Sequence, residues 1–556
     1  MKTKRSVSIL LAIAMLASAA SGCSSAPEAS SSEASSSASA SEASSESSGE
    51  SSGEAEEFTY PVEGNPVLTY FGKLHSKVSK DYSSYADLEV VQWWFEKTGV
   101  TLEFETPPSG MEEEQYNILL ASGDYPDLIN YDLVGQPGGT QKLYNDGVLI
   151  DLTDDMQKYM PNLLAYYAEN PDIERMVKDD DGRFFVIPFL KGGGVLLATT
   201  GPMIRKDILD ELGLEPPETI DEWDAVLAAM KEAYPDSYPL TGRLRSSNTP
   251  GELSNLFQSA FGVSNDFWYE DTEGVVHFAP QEDGYKEFLM ELNEWYTKGY
   301  LDANFATLDQ QTLDNNMSSG RSFATFGAGS SGLGAYMTAN QDNPDFELMG
   351  VKLPTINEGE LAMYATEYEF GGNPQLGITT ACENVEAAMR MYDFGFSEEG
   401  YMRFNWGEEG VSYTMVDGKP QYTDLILNNP DGLSVDAILA NYALTAIKGP
   451  AMLVQDPDYM LQYYNMPQQQ QAMEAWEEKD YENRQFPVVS YTSEESQNLT
   501  AILADLDTYV EQTAMKFIIG SESFDNWDSF VDTCSNMGVA DALAIQQAAV
   551  DRYNAR

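Results

Sequence analysis

Residues 67–131 read VLTYFGKLHSKVSKDYSSYADLEVVQWWFEKTGVTLEFETPPSGMEEEQYNILLASGDYPDLINY, and their pattern gives the clearest prediction of the fold class. It alternates short apolar runs with amphipathic helical patterns. The apolar runs predict three strands: Val67–Phe71, Val100–Glu105 and Asp127–Tyr131. The helical patterns each stop at a glycine that suits a left-handed cap: Leu88–Lys97 before Gly99, and Met111–Ala121 before Gly123. This β-α-β-α-β order predicts an open parallel sheet with right-handed crossovers.

The same alternation of strands and helices continues beyond residue 200. Thr219 and Glu222 form a capping box before a helix whose apolar residues follow the helical period. Further predicted strands are Tyr238–Gly242, Val275–Phe278 and Arg321–Phe326, and further predicted helices are Asp283–Lys298, Asn384–Phe394, Trp527–Cys534 and Ala540–Tyr553. This alternation predicts an α/β fold, and the sequence has no repeat with a period of roughly 20–50 residues.

The amino terminus predicts export and attachment of a lipid. Residues 1–22 combine a basic start with a short apolar run, as in a secretory signal peptide. Small residues precede Cys23 as in a bacterial lipobox, although Ala20 replaces the usual leucine, so Cys23 is predicted to carry the lipid anchor. A plain signal peptide with an incidental cysteine is the alternative. The rest of segment 23–57 is Ser- and Glu-rich, and we expect a disordered tether at the extracellular face of the cell membrane.

The composition of the chain excludes several classes of function. Its 556 residues include 31 Lys and Arg against 90 Asp and Glu, a formal net charge of −59. Nucleic-acid binding needs clustered cations that contact phosphates, so no nucleic-acid partner is expected. The chain contains only two histidines and three cysteines. Zinc clusters and disulfide frameworks are therefore not expected, and we predict no cofactor and no metal ligand.

Four stretches of the chain together resemble one protein family. They are YNILLASGDYPDLI (116–129), MIRKDILDELGLEPPETIDEWDAVLAAMKEAYP (203–235), SEEGYMRFNWGEEGVSYTMVDGKP (397–420) and KFIIGSESFDNWDSFVDTCSNMGV (516–539). Their order and spacing, behind a lipobox and a serine-rich tether, are similar to the family 1 extracellular solute-binding proteins, in the large lipoprotein subgroup of Gram-positive bacteria. The resemblance covers nearly the whole chain from Phe58 onward.

The resemblance implies a two-lobed, periplasmic-binding-protein-like α/β fold with hinge-linked open sheets and extra carboxyl-terminal helices. Lobe 1 is expected to comprise residues 58–197 and 354–405, and lobe 2 residues 198–353 and 406–556. The glycine-rich segment Gly192–Gly201 is expected to be the outward hinge crossing, with Leu353–Gly359 as the return.

The resemblance also implies a function without catalysis. A monomeric lipoprotein would capture a sugar, usually an oligosaccharide, between its lobes and deliver it to the permease subunits of an ABC importer. Two alternatives remain open. A secreted glycoside hydrolase would use paired carboxylates, which cannot be assigned among 90 acidic residues. A surface adhesin or sensor would bind sugar without transporting it.

A cleft for a neutral oligosaccharide needs aromatic rings that cover sugar faces and planar polar groups that bond hydroxyls. Eight residues that follow predicted strands, lie in turn-like stretches or stand near the expected crossings are candidate ligand contacts: Tyr131, Asp132, Arg243, Trp268, Tyr269, Tyr368, Glu369 and Trp406. For Arg243 the alternative is a surface ion pair, which is common in so acidic a chain.

Two other patterns match known motifs only in part. Gly327, Gly329 and Gly332 have the spacing of a dinucleotide-binding loop, but the acidic residue that should follow is only loosely placed. We interpret this pattern as a tight strand-to-helix turn. The acidic stretches around Gly182 and Gly274 lack the first and last ligands of an EF-hand loop, so we interpret each as a hairpin turn.

Overall fold

A computed structural model of the chain describes residues 59–246, 249–364, 368–371, 374–429, 435–480 and 486–556. The predicted signal peptide, Cys23 and the predicted tether lie outside these ranges. Among the helices of the described ranges, none is both long enough and apolar enough to cross a membrane.

Strands and helices alternate in the first part of the chain, as the periodicity predicts, and the described elements after Tyr422 are helices. The strands are β1 (Val67–Gly72), β2 (Thr101–Glu105), β3 (Leu128–Tyr131), β4 (Thr200–Arg205), β5 (Arg245–Ser246), β6 (Thr249–Pro250), β7 (Trp268–Glu270), β8 (Val276–Phe278), β9 (Ala324–Ala328), β10 (Leu348–Gly350), β11 (Gln375–Ile378), β12 (Tyr413–Val416) and β13 (Lys419–Tyr422). The α-helices are α1 (Ser76–Ser79), α2 (Glu89–Thr98), α3 (Glu112–Ser122), α4 (Gly139–Asn145), α5 (Thr153–Tyr159), α6 (Pro161–Glu169), α7 (Pro171–Val177), α8 (Lys206–Leu212), α9 (Ile220–Ala233), α10 (Glu252–Phe257), α11 (Asp283–Lys298), α12 (Gln310–Ser318), α13 (Ala335–Ala339), α14 (Val385–Asp393), α15 (Glu398–Trp406), α16 (Asp424–Leu427), α17 (Val435–Tyr442), α18 (Pro457–Tyr463), α19 (Pro467–Trp476), α20 (Ser493–Ile518), α21 (Trp527–Asn536) and α22 (Val539–Asn554).

The capping box predicted at the start of α9 is confirmed. The Glu222 backbone N–H donates to Thr219 Oγ1 at 3.3 Å, and the Thr219 backbone N–H donates to the Glu222 carboxylate at 2.9 Å. These two bonds satisfy amide groups that the first turn of the helix leaves without intrahelical partners.

Residues 67–131 form most of the first sheet, whose strand order is β11-β3-β1-β2. β1 is parallel to both β2 and β3, with Val67 opposite Thr101. Between these strands, α2 and α3 end at Gly99 and Gly123, whose φ angles of 75° and 71° lie in the left-handed region that favours glycine. The predicted parallel β-α-β-α-β arrangement is confirmed, and β11 adds an antiparallel strand beside β3.

The second sheet has the order β10-β4-β9, and both of its strand pairs are antiparallel. The predicted strand Tyr238–Gly242 is wrong, because Leu240 makes only isolated bridges, to Leu301 and Ala324. Pro239 has no backbone N–H for a ladder, although its carbonyl oxygen accepts a hydrogen bond from the Ala324 N–H. The segment therefore lies beside the sheet, but it does not form a strand of it.

Buried side chains form two large hydrophobic cores. The first core draws on residues 62–190, 370–404 and 440–454, and the second on residues 204–364 and 506–539. Segment 440–454, which we expected in lobe 2, packs with the first core because Leu190 exchanges backbone hydrogen bonds with Leu453 and Gln455. The expected lobe boundaries stay a prediction.

The chain passes from the first core to the second through Gly192–Gly201. Gly193 and Gly194 have φ angles of 77° and 56°, which glycine adopts without strain. A Cβ atom on Gly201 would lie 2.3 Å from the indole ring of Trp476, so this position also has no room for a side chain. The glycines thus provide both backbone freedom and close packing, and hinge motion at this segment stays a prediction.

The carboxyl-terminal helices α20, α21 and α22 pack against the second core through buried residues such as Leu506, Phe530 and Val539. The end of α22 also contacts the loop that follows α7. Arg552 Nε lies 2.7 Å from Asp180 Oδ2, and Arg556 Nη2 lies 2.8 Å from Asp180 Oδ1. These ion pairs connect the carboxyl terminus to a loop that is 372 residues earlier in the chain.

Candidate ligand-binding cleft

Two adjoining cavities lie between elements of the first and second cores. Their volumes are about 920 and 500 Å³, and Leu197 and Tyr368 line both of them. We refer to the two together as the cleft. Lys191 lines it from the chain that leaves the first core, and Trp268 and Phe326 line it from the second-core side. Cavities of this size and position are the usual sites for small ligands.

Aromatic side chains cover much of the smaller cavity: Trp268, Phe326, Tyr364, Tyr368 and Phe486. The rings of Phe326 and Tyr364 are stacked, with centroids 5.9 Å apart and an interplanar angle of 26°. The indole of Trp268 packs on Phe278 at 4.5 Å. Because neighbouring rings hold them, these side chains lose little rotational freedom when a ligand stacks on them.

A network of amide side chains lies beside these rings. Asn265 Nδ2 donates to Asn255 Oδ1 at 2.8 Å, and the Tyr364 hydroxyl donates to the same oxygen at 3.3 Å. Asn255 Nδ2 donates to the Pro250 carbonyl oxygen at 3.1 Å, which fixes the orientation of its amide. Fixed amides of this kind suit ligands that carry many hydroxyl groups.

The hairpin of β7 and β8 directs its turn, Asp271–Gly274, into the larger cavity. Asp271 Oδ1 accepts hydrogen bonds from the backbone N–H groups of Glu273 and Val275, at 2.8 and 2.9 Å. The hairpin turn predicted around Gly274 is thereby confirmed. At Gly182 the predicted hairpin is wrong, because the chain turns there without paired strands. In the described ranges, no group of three or more His, Cys, Asp or Glu side chains is arranged to hold a metal ion.

His277 holds this hairpin together from β8. Its Nε2 lies 2.9 Å from Asp271 Oδ2, and its Nδ1 lies 2.9 Å from Glu282 Oε1. Partial burial lowers the pKa of His277, but the hydrogen bonds to Asp271 and then Glu282 outweigh that effect and raise the pKa above its ordinary value. The protonated ring can donate to both carboxylates at once, whereas the neutral ring can donate to only one.

We expect His277 to stabilise the protein more at pH 6 than at pH 8.5. Because its pKa is raised in the folded state, its contribution is complete below about pH 6.5 and is lost as the pH rises through the folded-state pKa. The loss of Tm caused by His277→Gln should therefore be greater at the lower pH. Gln547→Ala, which removes hydrogen bonds that a non-titrating amide makes to the same hairpin, is the control and should lower Tm equally at both pH values. Equal losses at both pH values for His277→Gln would contradict the prediction.

Three of the eight predicted contacts line the cleft: Trp268, Tyr368 and Glu369. Tyr269, next to Trp268 on β7, points to the other side of the strand. It is 4% exposed, stacks on the ring of His277 at 5.0 Å and donates its hydroxyl to Glu282 at 2.7 Å. The alternation of side chains along a strand explains why only one of these neighbours reaches the cleft.

The other predicted contacts lie outside the cleft walls. Tyr131 stacks on Tyr116, with centroids 4.1 Å apart, at the end of β3. Asp132 Oδ1 accepts a hydrogen bond from the Gly135 N–H in the loop that follows. Neither residue lines either of the two cavities that Trp268 and Tyr368 line.

Arg243 and Trp406 are engaged with other parts of the protein. Arg243 Nε donates to Glu252 Oε2 at 3.0 Å, so the ion pair that we considered as its alternative is present. Trp406 is 0% exposed, and its indole N–H donates to Asp456 Oδ2 at 2.8 Å. Its ring is therefore part of a core and not of a cavity wall.

Several residues of the cleft were not predicted from the sequence: Lys191, Asn255, Asn265, Phe326 and Tyr364. The sequence does contain a signal that could have indicated Phe326, because this residue immediately precedes the glycine pattern that begins at Gly327. The other residues lie on unrelated stretches, and no spacing in the sequence connects them.

The glycine pattern after Phe326 is confirmed as a tight strand-to-helix turn. β9 ends at Ala328, a π-helical turn covers Gly329–Gly334, and α13 follows. Gln469 Nε2 donates to the Gly329 carbonyl oxygen at 2.8 Å, and a Cβ on Gly334 would lie 2.5 Å from the same nitrogen. Because these glycines have no side chains, α19 can pack closely against the turn.

Residues 76–402 match the family described as bacterial extracellular solute-binding protein. The chain belongs to this family. Over 525 residues it is 23% identical to the fructooligosaccharide ABC transporter substrate-binding protein FusA of Streptococcus pneumoniae, covering 90% of this chain and 93% of FusA. Over 361 residues it is 23% identical to lipoprotein LipO of Bacillus subtilis, covering 63% of this chain and 68% of LipO.

Solved structures of solute-binding proteins share the same fold. The alginate-binding protein AlgQ2 matches with a TM-score of 0.70 and 24% identity, covering 89% of this chain and 100% of AlgQ2. FusA in complex with kestose matches with a TM-score of 0.68 and 22% identity, covering 88% of this chain and 99% of FusA. The expected periplasmic-binding-protein-like α/β fold is therefore confirmed.

Proposed function

We propose that this solute-binding protein captures an oligosaccharide in the cleft and delivers it to the permease subunits of an ABC importer. The observation that carries the proposal is the aromatic wall of the smaller cavity with the amide network beside it. Sugar rings present flat apolar faces and a rim of hydroxyls, and these two sets of groups match the two sets of side chains. The similarity to FusA, which is named a fructooligosaccharide ABC transporter substrate-binding protein, supports the same ligand class.

The binding cycle that we propose contains no bond cleavage. Side chains from both cores line the cleft, so a ligand that contacts both stabilises the closed arrangement more than the open one. The hinge would be Gly192–Gly201 with Leu353–Gly359, and the lobes would follow the boundaries expected from the resemblance. The intact sugar would leave when the closed form meets the permease.

The proposal also includes the location of the protein. Cys23 would carry the lipid, and the Ser-rich segment after it would act as a tether of about 30 Å, estimated as 5–6 Å times the square root of its length. The protein would act as a monomer on the extracellular face of the cell membrane. The similarity to LipO, which is named a lipoprotein, supports this arrangement.

A thermal-shift screen of the purified full chain against oligosaccharides tests the proposed function. A ligand at about 100 times its Kd stabilises the folded state by about 2.7 kcal/mol, so we expect Tm to rise by a few degrees for at least one sugar class. Mass spectrometry of the same mixtures should then recover that sugar intact. Shortened sugars would instead indicate a glycoside hydrolase, and an unchanged Tm with every sugar would refute sugar binding.

A further inference from the structure

The larger cavity of the cleft has a strongly acidic wall. Six carboxylate side chains line it: Glu169, Asp172, Glu270, Asp271, Glu273 and Glu369. Arg175 is the one cationic side chain among the described residues that line the same cavity. The wall combines helices α6 and α7, the β7–β8 hairpin and the segment that carries Tyr368. It is therefore a feature of the assembled cleft rather than of one acidic stretch of sequence.

Several of these charges converge at the boundary between the two cavities. Tyr368 lies there, and its pKa is raised by burial and then by Tyr553, Glu270 and Glu369. Glu270 is itself half-buried, and burial raises the pKa of its carboxyl group. A hydrogen bond from Asn554 lowers this pKa, and the negative charge of Asp271 raises it further. A negatively charged ligand group at this position would have carboxylates on two sides. Because the site is partly buried, little water would screen the repulsion between these charges.

Two arginines near the cleft already have carboxylate partners. Arg175 Nη2 lies 3.0 Å from Asp172 Oδ1, and its guanidinium lies over the Tyr553 ring at 5.1 Å. Arg245 lies 3.1 Å from Asp266, which lines the smaller cavity, and 3.2 Å from Glu511.

Lys191 lines the smaller cavity but is only 5% exposed, and Asp266 lines the same cavity. A uronate carboxylate is bound best by the planar fork of an arginine. In the described part of the cleft, Arg175 is the arginine in reach, and the Asp172 carboxylate already lies beside its guanidinium.

We propose that the acidic wall excludes uronate sugars, so that the cleft takes neutral oligosaccharides. The inference rests on the proposed function and specifies its substrate class. Carboxylates accept hydrogen bonds from sugar hydroxyls, and bonds to a charged acceptor are stronger than bonds between neutral groups. The same side chains that bind a neutral sugar therefore repel an anionic one, and this combination produces selectivity.

The test compares the full chain's Kd, by calorimetry, for neutral and anionic probes of similar length. The neutral probes are kestose and malto- and xylo-oligosaccharides, and the anionic probes are oligogalacturonates and alginate oligomers. We expect at least one neutral probe to bind, and every anionic probe to bind at least tenfold more weakly at low ionic strength. The difference between the Kd values of the anionic and the neutral probes should decrease at high ionic strength, because salt screens charge repulsion.

A charge variant tests whether the wall itself causes the discrimination. Glu270→Gln combined with Glu369→Gln removes two cleft charges and should reduce the ratio between anionic and neutral Kd values several-fold. Glu96→Gln combined with Glu287→Gln removes two charges at exposed positions outside the cleft and should leave the ratio unchanged. An unchanged ratio in the cleft variant would overturn the inference.

The outcomes separate this inference from the proposed function. An anionic oligosaccharide that binds as tightly as the best neutral probe overturns the inference but supports sugar binding. Failure of every sugar, with a folded chain that binds another class of solute, refutes the proposed function and the inference with it.

Discussion

Replacement of Trp268 by alanine should weaken oligosaccharide binding about 30- to 150-fold. Stacking covers about one face of the indole, roughly half of the 150–250 Å² that a buried aromatic side chain removes from water. At about 25 cal/mol per Å² this contact contributes about 2–3 kcal/mol, and each 1.4 kcal/mol is a factor of about ten in Kd. The ring is already held against Phe278, so little binding energy is lost in ordering it.

The measurement is calorimetry with whichever sugar gives the largest thermal shift, and Trp93→Ala is the matched control. Trp93 is also a partly exposed tryptophan, but it packs on Phe394 at 5.8 Å in the first core and does not line the cleft. Its loss should lower Tm and leave Kd within about twofold. If Trp268→Ala also changed Kd by less than twofold, the aromatic wall would not be the binding surface.

Replacement of Asp180 by asparagine should lower the free energy of unfolding by about 2–3 kcal/mol. The carboxylate accepts hydrogen bonds from Arg552 Nε at 2.7 Å and from Arg556 Nε and Nη2 at 3.0 and 2.8 Å. The Arg556 side chain is only 4% exposed, so without the negative charge its guanidinium remains largely desolvated beside a neutral amide. Breaking a fully buried pair costs about 3–5 kcal/mol, and the 22% exposure of Asp180 reduces that figure.

Asp181→Asn is the control for this measurement, which uses urea unfolding followed by tryptophan fluorescence. The neighbouring carboxylate pairs with Arg183 at 2.7 Å but is 75% exposed, and an exposed ion pair contributes about 0–1 kcal/mol. We therefore expect a change of less than 1 kcal/mol. Equal losses for the two variants would show that the contact between α22 and this loop adds nothing beyond an ordinary surface ion pair.

The elements that the sequence predicted well are those whose signals are local. The first sheet follows from apolar runs and from two glycines that end helices, and α11 begins and ends where its pattern does. The error at Tyr238–Gly242 has a different origin. The apolar pattern there suits a strand, but Pro239 and single bridges to two distant segments limit the pairing, and neither partner is near in sequence.

At the candidate site, the sequence indicates which residue types suit a ligand, but it does not indicate which of those side chains reach the cleft. Trp268 and Tyr269 are adjacent aromatic residues, and strand alternation directs only the first into the cleft. Trp406 stands beside a glycine near an expected crossing, yet Asp456, 50 residues later, binds its indole N–H inside a core. The sequence shows both side chains and does not show which of them is covered.

Periodicity and motif order are properties of the chain, and they were sufficient to predict the β-α-β-α-β sheet and the resemblance to a family. The tertiary structure alone decided which side chains form the cleft and that its larger cavity is acidic. Asn255 and Tyr364 meet across 109 positions, and Asp180 and Arg556 across 376. Such contacts arise when distant parts of the chain pack together, and local patterns contain no information about which residues that packing will join.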